Sequence, residues 1–193
     1  MDEGAIFSCA EQPSLLDRFA WLGGFGQWGV PGWTIPAGCA SVIVEQARRF
    51  SGRQVLELGT SRGRLTAMLA TLGCHVTTVD RHDRGAAQNL DGLGVRVVVD
   101  DALNFMATTS ETYDLIVVDL HGNGVADWKR RSPLLKRCLS PSGTLLLDNA
   151  VLWKIPKWHE ETGVRWFLES LRPPWKFELN EDHLPGVAIV THQ

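Results

Sequence analysis

Apolar runs of the β type alternate with helical patterns between residues 53 and 148. The runs predict strands at residues 53–58, 75–80, 95–99, 113–119 and 144–148. Strands separated by helices in this way are typical of βαβ units, whose right-handed crossovers cover both faces of a parallel sheet. The alternation therefore predicts a doubly wound α/β fold.

The segments between these runs predict helices at residues 65–72, 81–92, 102–109 and 132–139. In the first of them, leucine and methionine recur at the spacing of one helix face, and Gly73 follows as a stop signal. Ser132 and Pro133 resemble an N-cap and a first helical position, so we expect the last of these helices to begin there. Residues 140–143, Ser-Pro-Ser-Gly, are predicted to form a turn.

The two ends of the chain differ from this alternating core. Residues 160–171 have a helical pattern, and β-type runs follow at 175–179 and 187–191. The linker between these runs is too short for a crossover helix, so we expect the last two strands to pair antiparallel. Near the start of the chain, helices are expected at residues 13–22 and 37–50, with a Gly/Trp-rich segment between them.

Length and composition are those of one globular domain. The chain has 193 residues, of which 44% are hydrophobic and 21% charged, enough for one substantial core. We predict a single domain over residues 1–193. In it, residues 1–52 form a helical and Gly/Trp-rich cap, residues 53–149 the βαβ core, and residues 150–193 a substrate loop followed by the C-terminal helix and strand pair.

Charge and cysteine usage exclude several classes of protein. The net charge of −3 provides no electrostatic footprint for binding nucleic acid. No apolar run approaches the ~18 residues of a membrane-spanning helix, and the acidic N-terminus lacks the basic flank of a signal peptide. The four cysteines lie far apart in the sequence, which favours neither a disulfide framework nor a zinc site. We expect a cytoplasmic protein that binds neither nucleic acid nor a membrane.

The glycine-bearing turn after the first predicted strand is the strongest candidate for a ligand site. Residues 57–63 read E-L-G-T-S-R-G, and in an open parallel sheet ligands bind beyond the carboxyl ends of the strands. Glycines allow the backbone to approach a ligand, and the N-terminus of the following helix favours an anionic group. The turn lacks the G-x-G-x-x-G dinucleotide fingerprint. An ordinary glycine turn within a βαβ unit is the alternative interpretation.

The pattern E-L-G-x-x-x-G resembles the first motif of the class I S-adenosylmethionine (SAM)-dependent methyltransferases. Asp80 ends the second predicted strand 21 residues after Gly59, where an acidic side chain can accept hydrogen bonds from ribose hydroxyls. The resemblance implies SAM as cofactor and a Rossmann-like sheet of seven strands, mostly parallel with an antiparallel C-terminal strand. The residues implied in cofactor binding are Glu57, Gly59, Thr60, Ser61, Gly63, Asp80, Asp100, Asp101, Ala102 and Asp119.

Arg62 and Arg64 lie in and directly after this turn. The guanidinium fork of either residue can bind a carboxylate of the cofactor through two hydrogen bonds. Exposure to solvent is the alternative for both side chains, and the sequence does not choose between them.

Acidic residues also end the fourth and fifth predicted strands. Asp119 ends the fourth strand, and Asp148 and Asn149 end the fifth. If the two strands are neighbours, about 4.8 Å apart, their carboxyl ends can present three oxygen ligands to a hard cation such as Mg²⁺ or Ca²⁺. Consecutive strand residues point to opposite faces, so Asp148 and Asn149 can share an ion only if the chain turns there.

Residues 148–153, D-N-A-V-L-W, resemble the D-N-x-L-W segment of the metal-dependent O-methyltransferases, which include the caffeoyl-CoA and catechol O-methyltransferases. One residue is inserted before Leu-Trp. The resemblance implies that Asp119, Asp148 and Asn149 hold a divalent cation. The cation would bind two vicinal oxygens of a small-molecule acceptor and lower the pKa of the reacting hydroxyl. Relatives of this kind are often dimers, which leaves a homodimer open.

The chain departs from that family at the position of the general base. The family has a lysine three residues after the strand-four aspartate, and this chain has Gly122 there. His121 is the nearest titratable group and can take the proton, so His121 and Asp119 are the candidate catalytic residues. An exposed loop histidine without a role in the chemistry is the alternative.

Tryptophan is abundant, with 8 Trp against 1 Tyr. We predict that Trp33, Trp153 and Trp158 form an aromatic substrate wall for a planar acceptor, aromatic or catechol-like. Trp21 and Trp28 lie in the N-terminal segment together with Trp33. Packing of these loops onto the core or onto a partner subunit is the alternative.

Four hypotheses follow for the function. The leading one is a SAM-dependent O-methyltransferase whose small-molecule acceptor is held by a divalent cation. A metal-independent methyltransferase of the same fold is the nearest alternative. The missing dinucleotide fingerprint and the antiparallel tail speak against a nicotinamide-dependent oxidoreductase. Gly122 in place of lysine is the one feature that favours a SAM-binding protein without catalysis.

Overall fold

The computed structural model describes residues 15–19, 22, 35–120 and 124–192. Its strands are β1 (Gln54–Leu58), β2 (His75–Asp80), β3 (Arg96–Val99), β4 (Tyr113–Val118), β5 (Leu139–Asp148), β6 (Trp175–Asn180) and β7 (Val187–His192). They form one seven-stranded sheet in the order β3-β2-β1-β4-β5-β7-β6. β1 to β4 begin and end within one residue of the bounds expected from the sequence.

Seven helices accompany the sheet in the described part of the chain. They are α1 (Leu15–Arg18), α2 (Ala37–Ala47), α3 (Arg64–Thr71), α4 (Ala86–Asn89), α5 (Ala102–Thr108), α6 (Val125–Cys138) and α7 (Gly163–Ser170). A 3₁₀ turn at Arg48–Phe50 continues α2, and two more at Leu152–Lys154 and Pro156–Trp158 follow β5. The Gly/Trp-rich segment expected at residues 23–32 lies outside the described residues.

The pairing of the strands confirms the predicted fold class. β1 to β5 pair in parallel, whereas β7 runs antiparallel to both β5 and β6. The sheet is therefore mostly parallel with an antiparallel C-terminal strand, in the Rossmann-like arrangement. Strand order reverses between β1 and β4, and such a switch point leaves a crevice at the carboxyl ends of the strands.

Successive side chains of the central strands point to opposite faces of the sheet and pack into two cores, one on each face. Leu56 and Leu58 pack on one face with residues of α5, α6 and α7. Val55 and Val117 pack on the other face with residues of α2 and α3. Burial on both faces explains the continuously apolar run that predicted β4, because strands covered by helices on each side need no polar face.

The helix before β5 is longer than the sequence indicated. It begins at Val125 and contains Pro133, so the expectation that it starts at Ser132–Pro133 was wrong. Trp128, Arg131 and Leu135 lie on its buried face together with Cys138. A proline inside a helix removes one backbone hydrogen bond. Burial of the large side chain of Trp128, which is 1% exposed, accounts for the first part of the helix despite that loss.

The turn expected at residues 140–143 lies within β5, which extends over Leu139–Asp148. The pairing of β4 with β5 steps from Tyr113↔Leu139 to Leu115↔Thr144. β5 thus has more residues between these two pairs than β4, which advances by two residues. The extra residues of β5 belong to the Ser-Pro-Ser-Gly segment. The turn-forming residues mark a break in strand register and not the end of the preceding helix.

Two further findings concern membrane-spanning helices and cysteines among the described residues. No helix among them is long and apolar enough to cross a membrane. Three of their cysteines, Cys39, Cys74 and Cys138, are buried free thiols. Each packs as a small core residue within one of the two apolar clusters.

We expect Phe167→Ala to lower the free energy of unfolding by about 3–5 kcal/mol, because it empties a fully buried aromatic site. Phe167 is 0% exposed and lies with its ring centroid 5.2 Å from that of Trp128, so it joins α7 to α6. Equilibrium urea unfolding measures the change. Phe177→Ala on the edge strand β6, where Phe177 is 42% exposed, is the matched control. Equal losses in the two variants would contradict this account of the core.

Candidate active site

A cleft opens at the carboxyl ends of β1 and β4, where the strand order reverses. Its lining consists of Ile35, Glu57, Gly59, Thr60, Ser61, Arg62, Arg64, Leu65 and Asp119. Residues of the E-L-G-T-S-R-G turn thus share one cleft with the aspartate that follows β4. The glycine turn and Asp119, which the sequence analysis treated as separate candidates, therefore lie in one cleft.

The backbone at Gly59 is held between two neighbouring strands. The N–H of Gly59 donates to the carbonyl of Val79 at 2.9 Å, and the N–H of Asp119 donates to the carbonyl of Leu58 at 2.8 Å. Gly59 has φ 107°, and a Cβ at this position would lie 1.9 Å from the carbonyl oxygen of Asp119. Only glycine satisfies both the conformation and the close approach.

Glu57 is buried beneath the turn at 1% exposure. Its Oε2 accepts hydrogen bonds from the hydroxyls of Thr66 and Thr78, the latter at 2.6 Å, and Thr78 Oγ1 lies 2.6 Å from Thr60 Oγ1. Burial raises the pKa of Glu57 to about 8, although the two threonine hydrogen bonds oppose the shift. The carboxyl of Glu57 is therefore largely protonated at neutral pH in the ligand-free protein.

The threonine partners of Glu57 were not predicted from the sequence. Glu57 and Thr78 are register partners on the adjacent strands β1 and β2, and partners in register place their side chains on the same face of a sheet. The signal was available in the strand sequence H-V-T-T-V-D, which carries two threonines in an otherwise buried strand.

Asp80 ends β2 at the same edge of the sheet. Its Oδ2 accepts from the N–H of Ser61 at 2.9 Å, and its Oδ1 accepts from the N–H of His82 at 3.1 Å. The first bond fixes the glycine turn, in which Ser61 has φ 51°. Each carboxylate oxygen retains a lone pair that can accept from a hydroxyl group, so a role in ribose binding remains a prediction.

Asp100 and Asp101 organise the start of α5. Asp101 Oδ1 accepts from the N–H of Leu103 at 2.8 Å and of Asn104 at 3.3 Å, as an N-cap does. Its Oδ2 accepts from Arg81 Nε at 2.7 Å. Burial raises the pKa of Asp101, but these hydrogen bonds outweigh burial and hold its pKa below the usual value.

Asp100, the residue before Asp101, also accepts hydrogen bonds from α5. Its two carboxylate oxygens accept from Asn104 Nδ2 at 3.0 and 2.9 Å, and Ala102 is the first residue of α5. These three positions lie at the carboxyl end of β3, as the sequence predicted. Their role in cofactor binding stays a prediction.

Asp119 and Asp148 follow directly after paired positions on neighbouring strands, since Val118 of β4 is the register partner of Leu147 of β5. Asp148 is 4% exposed, and its Oδ1 has no hydrogen-bond partner among the described residues. Burial raises the pKa of Asp148, and the negative charge of Asp119 raises it further. Burial and the charge of Asp80 raise the pKa of Asp119 to about 6.

The chain turns immediately after Asp148, because Asn149 has φ 62°. The alternation of the strand ends there, which is the condition under which the two side chains can face one ion. Among the residues that the structure describes, no group of three or more His, Cys, Asp or Glu side chains is placed to hold a metal. The candidate metal ligands Asp119, Asp148 and Asn149 are two carboxylates and one amide.

Two elements that the sequence did not mark surround Asp148. On α2, the thiol of Cys39 donates to the carbonyl of His183 at 3.5 Å. Burial and the charge of Asp148 raise the pKa of Cys39 to about 12. The ring of His183 lies over Gly38, where a Cβ would come within 2.1 Å of it. The loop between β6 and β7 thus packs against the N-terminal end of α2, beside the carboxyl end of β5.

The remaining predicted residues are not brought to the cleft in the described part of the chain. His121 and Trp33 lie outside the described residues, as do Trp21 and Trp28. The ring of Trp153 lies 5.7 Å from the guanidinium of Arg165, and that of Trp158 lies 5.1 Å from the ammonium of Lys157. The lining of the cleft includes neither ring, so the substrate wall stays a prediction.

Arg62 and Arg64, which the sequence left equivalent, differ in the structure. Arg62 is exposed, whereas Arg64 is 4% exposed as the first residue of α3. Arg64 precedes the buried Met68 by four residues, and this spacing places both on the buried face of the helix. That periodicity is the sequence signal that could have distinguished the two arginines.

Residues 55–143 match the family model described as a methyltransferase domain. The match spans β1 to the start of β5 and includes the glycine turn, Asp80 and Asp119. It confirms the resemblance of this chain to the class I SAM-dependent methyltransferases. No curated protein matches the chain in sequence.

Solved structures share the whole fold. A putative caffeoyl-CoA O-methyltransferase from Staphylococcus aureus is 20% identical, with a TM-score of 0.68 over 94% of this chain and 93% of that one. A putative O-methyltransferase from Klebsiella pneumoniae is 17% identical, with a TM-score of 0.69 over 96% and 92%. An O-methyltransferase from Bacillus cereus in complex with SAH is 17% identical, with a TM-score of 0.70 over 96% and 93%. At these identities the likeness shows the fold.

The raised pKa of Glu57 predicts an unusual dependence of the protein's stability on pH. A carboxyl with a raised pKa binds its proton more tightly in the folded state, so its contribution to stability falls as pH rises from the unfolded pKa through the folded one. For Glu57 this window runs from about 4 to about 8. We expect the free energy of unfolding to decrease between pH 5 and pH 8, with a slope of at most about 1.4 kcal/mol per pH unit from Glu57.

Glu57→Gln tests this, since glutamine keeps an oxygen for the two threonine hydroxyls and has no proton to lose. We expect the variant to have a flatter profile than the parent between pH 6 and pH 8 in urea unfolding at fixed ionic strength. Glu160→Gln, at an exposed position, is the control. A Glu57→Gln profile as steep as the parent's would show that Glu57 does not carry the effect.

Proposed function

We propose that this protein is a SAM-dependent methyltransferase that methylates a hydroxyl oxygen of a small-molecule acceptor held by a divalent cation. The observation that carries the proposal is the cleft at the switch point, whose turn at Gly59 lies inside the region matched by the methyltransferase model. The complex of the Bacillus cereus neighbour with SAH supports the choice of cofactor.

The charges of the cleft suit a ligand with a positive centre. Glu57 and Asp119 line it, and both have pKa values above those of ordinary carboxyls. A positively charged ligand favours the ionised form of such groups and lowers their pKa values. The sulfonium and ammonium groups of SAM supply that charge. In this arrangement Asp80 at the end of β2 would bind the ribose, and Gly59 and Asp119 would contact the methionine end.

The residues at the ends of β4 and β5 fit a divalent cation. Asp148 has a buried oxygen without a hydrogen-bond partner in the described part of the chain, and the charge of Asp119 raises its pKa. Asp119, Asp148 and Asn149 would hold the ion, and carboxylate and amide oxygens are the donors that Mg²⁺ and Ca²⁺ take. When bound, the ion would lower the pKa of the acceptor hydroxyl.

The main contribution of the protein to this reaction is to position the methyl donor and the acceptor, rather than to react covalently itself. The acceptor oxygen forms a bond to the methyl carbon while the carbon–sulfur bond of SAM breaks, which leaves SAH and a methyl ether. The lining of the cleft would hold the sulfonium near the ends of β4 and β5, and such alignment supplies much of the rate of an in-line displacement. His121, two residues after Asp119, is the proposed acceptor of the hydroxyl proton.

A SAM-binding protein without catalysis is the second candidate. Gly122 stands where the resembling family has its lysine base, and this absence favours it. A metal-independent methyltransferase of the same fold is the third, because two carboxylates and an amide are also compatible with hydrogen bonding to an acceptor. Measurements of ligand binding and of turnover separate the three.

SAM and SAH are expected to raise the melting temperature of the protein, and NADH at the same concentration is not. A ligand that binds only the folded state stabilises it by about 2.7 kcal/mol at a hundredfold excess over its Kd. Thermal unfolding and isothermal titration calorimetry measure the effect. Absence of binding by both SAM and SAH would overturn the proposed function.

Methyl transfer to a catechol probe is expected to stop on addition of EDTA and to return with Mg²⁺. Asp148→Asn should reduce turnover at least about a hundredfold, because it removes one charged donor from the proposed ion site. Radiolabelled methyl transfer measures turnover, with SAH affinity as the test of an intact cofactor site. Asp91→Asn, an exposed position after α4, is the control. Full turnover in EDTA would favour the metal-independent enzyme.

A further inference from the structure

β6 is the last strand of the sheet, and within the described part of the chain it pairs with β7 alone. An edge strand carries backbone N–H and carbonyl groups along its outer side, and these can pair with a strand of another chain. Proline, a β-bulge or repeated lysines often prevent such pairing. β6 reads W-K-F-E-L-N and pairs with β7 without a register shift, so it has neither a proline nor a bulge. The edge of β6 is therefore a candidate interaction surface.

One face of β6 is apolar and only partly covered. Trp175, Phe177 and Leu179 alternate along the strand, so they share a face. Phe177 is the register partner of Val190 on β7. Val190 is fully buried in the core that includes residues of α6 and α7, whereas Phe177 is 42% and Leu179 38% exposed. The apolar surface of that core thus continues onto β6, where it reaches solvent.

The opposite face of β6 carries two exposed charges, Lys176 and Glu178. Neither forms an ion pair with another residue that the structure describes. Opposite charges that face each other across a strand pair stabilise it, and like charges destabilise it. Two β6 strands paired in parallel and in register would bring each charge against its own copy. An antiparallel pair centred on Phe177 brings each lysine against a glutamate.

The N-terminal region of the same chain is another candidate to cover this face. Its described residues Phe19, Leu22 and Ile35 pack in the core on the opposite face of the sheet. They therefore lie on the side away from Phe177. A second copy of β6, by contrast, offers a matching strand edge, a matching apolar face and charges in the complementary order.

We propose that two copies of this chain associate through β6 in an antiparallel pair with its two-fold axis at Phe177, which joins their seven-stranded sheets into one. Lys176 then lies opposite Glu178 of the partner subunit. Trp175 lies opposite Leu179 of the partner subunit, so the two apolar faces form one surface. The same patch serves on both copies, as in other two-fold interfaces. This inference does not depend on the proposed function.

The association is expected to be reversible and to depend on protein concentration. β6 has 6 residues, whereas a standard interface has about 20–30 residues a side. Below the Kd of the pair, Phe177 is exposed as it is in the single chain. Sedimentation velocity over a wide range of concentration should therefore show a shift from monomer to dimer.

Exchange of the two charges tests the proposed register. Lys176→Glu and Glu178→Lys, each alone, place like charges opposite each other at both ends of the pair, so each should raise the dimer Kd at least about fivefold. The double variant Lys176→Glu/Glu178→Lys restores opposite charges and should return the Kd to within about twofold of the parent's. Arg53→Glu changes the net charge as Lys176→Glu does, at an exposed position before β1, and should leave the Kd unchanged.

A cysteine at the two-fold axis tests the same register independently. Residues directly opposite in an antiparallel pair have Cα atoms about 4.5–5.5 Å apart, which a disulfide can span. Phe177→Cys should therefore form a disulfide-linked dimer under mild oxidation, seen on a non-reducing gel. Leu179→Cys, on the same face and similarly exposed, is the control. It does not lie opposite its own copy, so its cross-linking should stay at the level of the parent.

Each outcome supports the pair or overturns it. A parent that stays monomeric throughout the concentration range and a Phe177→Cys variant that does not cross-link would show that no second copy uses β6. An unchanged Kd in both single charge variants would place the dimer on another surface and overturn the inference. Equal cross-linking at positions 177 and 179 would overturn the register. Recovery of the dimer in the double variant excludes misfolding as the cause of the losses in the single ones.

Discussion

The close approach of the Gly59 backbone to the carbonyl of Asp119 sets the geometry of the whole site. A Cβ at Gly59 would lie 1.9 Å from that oxygen, so the turn after β1 can follow the end of β4 only with glycine. Glu57, Gly59 and Asp119 line the same cleft at this point.

The same approach concentrates acids at one edge of the sheet. Asp80 ends β2, Asp148 ends β5 and Asp119 directly follows β4, while Glu57 lies one residue before the end of β1. Burial raises the pKa of Glu57 to about 8 and that of Asp119 to about 6, and the charges of neighbouring carboxylates raise both further. Stability and binding are linked through these carboxyls.

The architecture was predictable where hydrophobic periodicity alone decides it. β4 is buried on both faces and continuously apolar, and the apolar runs of β1 to β3 likewise predicted their bounds to within one residue. The start of α6 was missed because Ser132–Pro133 is a local signal, while burial of Trp128 is a tertiary one that the local sequence does not contain. The turn residues at 140–143 likewise signalled a break without showing that β5 continues through it.

The site was predictable to the extent that parallel strands deliver their carboxyl ends to a common edge. The sequence therefore located Glu57, Gly59, Asp80 and Asp119 correctly relative to one another. It could not separate side chains that face a ligand from those used by the fold.

Asp101 illustrates this limit, because its carboxylate caps α5 and pairs with Arg81, partners that only the folded chain brings to it. Arg62 and Arg64 illustrate it again, since two residues of the same chemistry, one on each side of Gly63, differ in exposure: Arg62 is exposed and Arg64 is buried. The difference arises where the turn becomes a helix, for from Arg64 onward the position of each side chain is fixed by helical periodicity and by the core beneath α3.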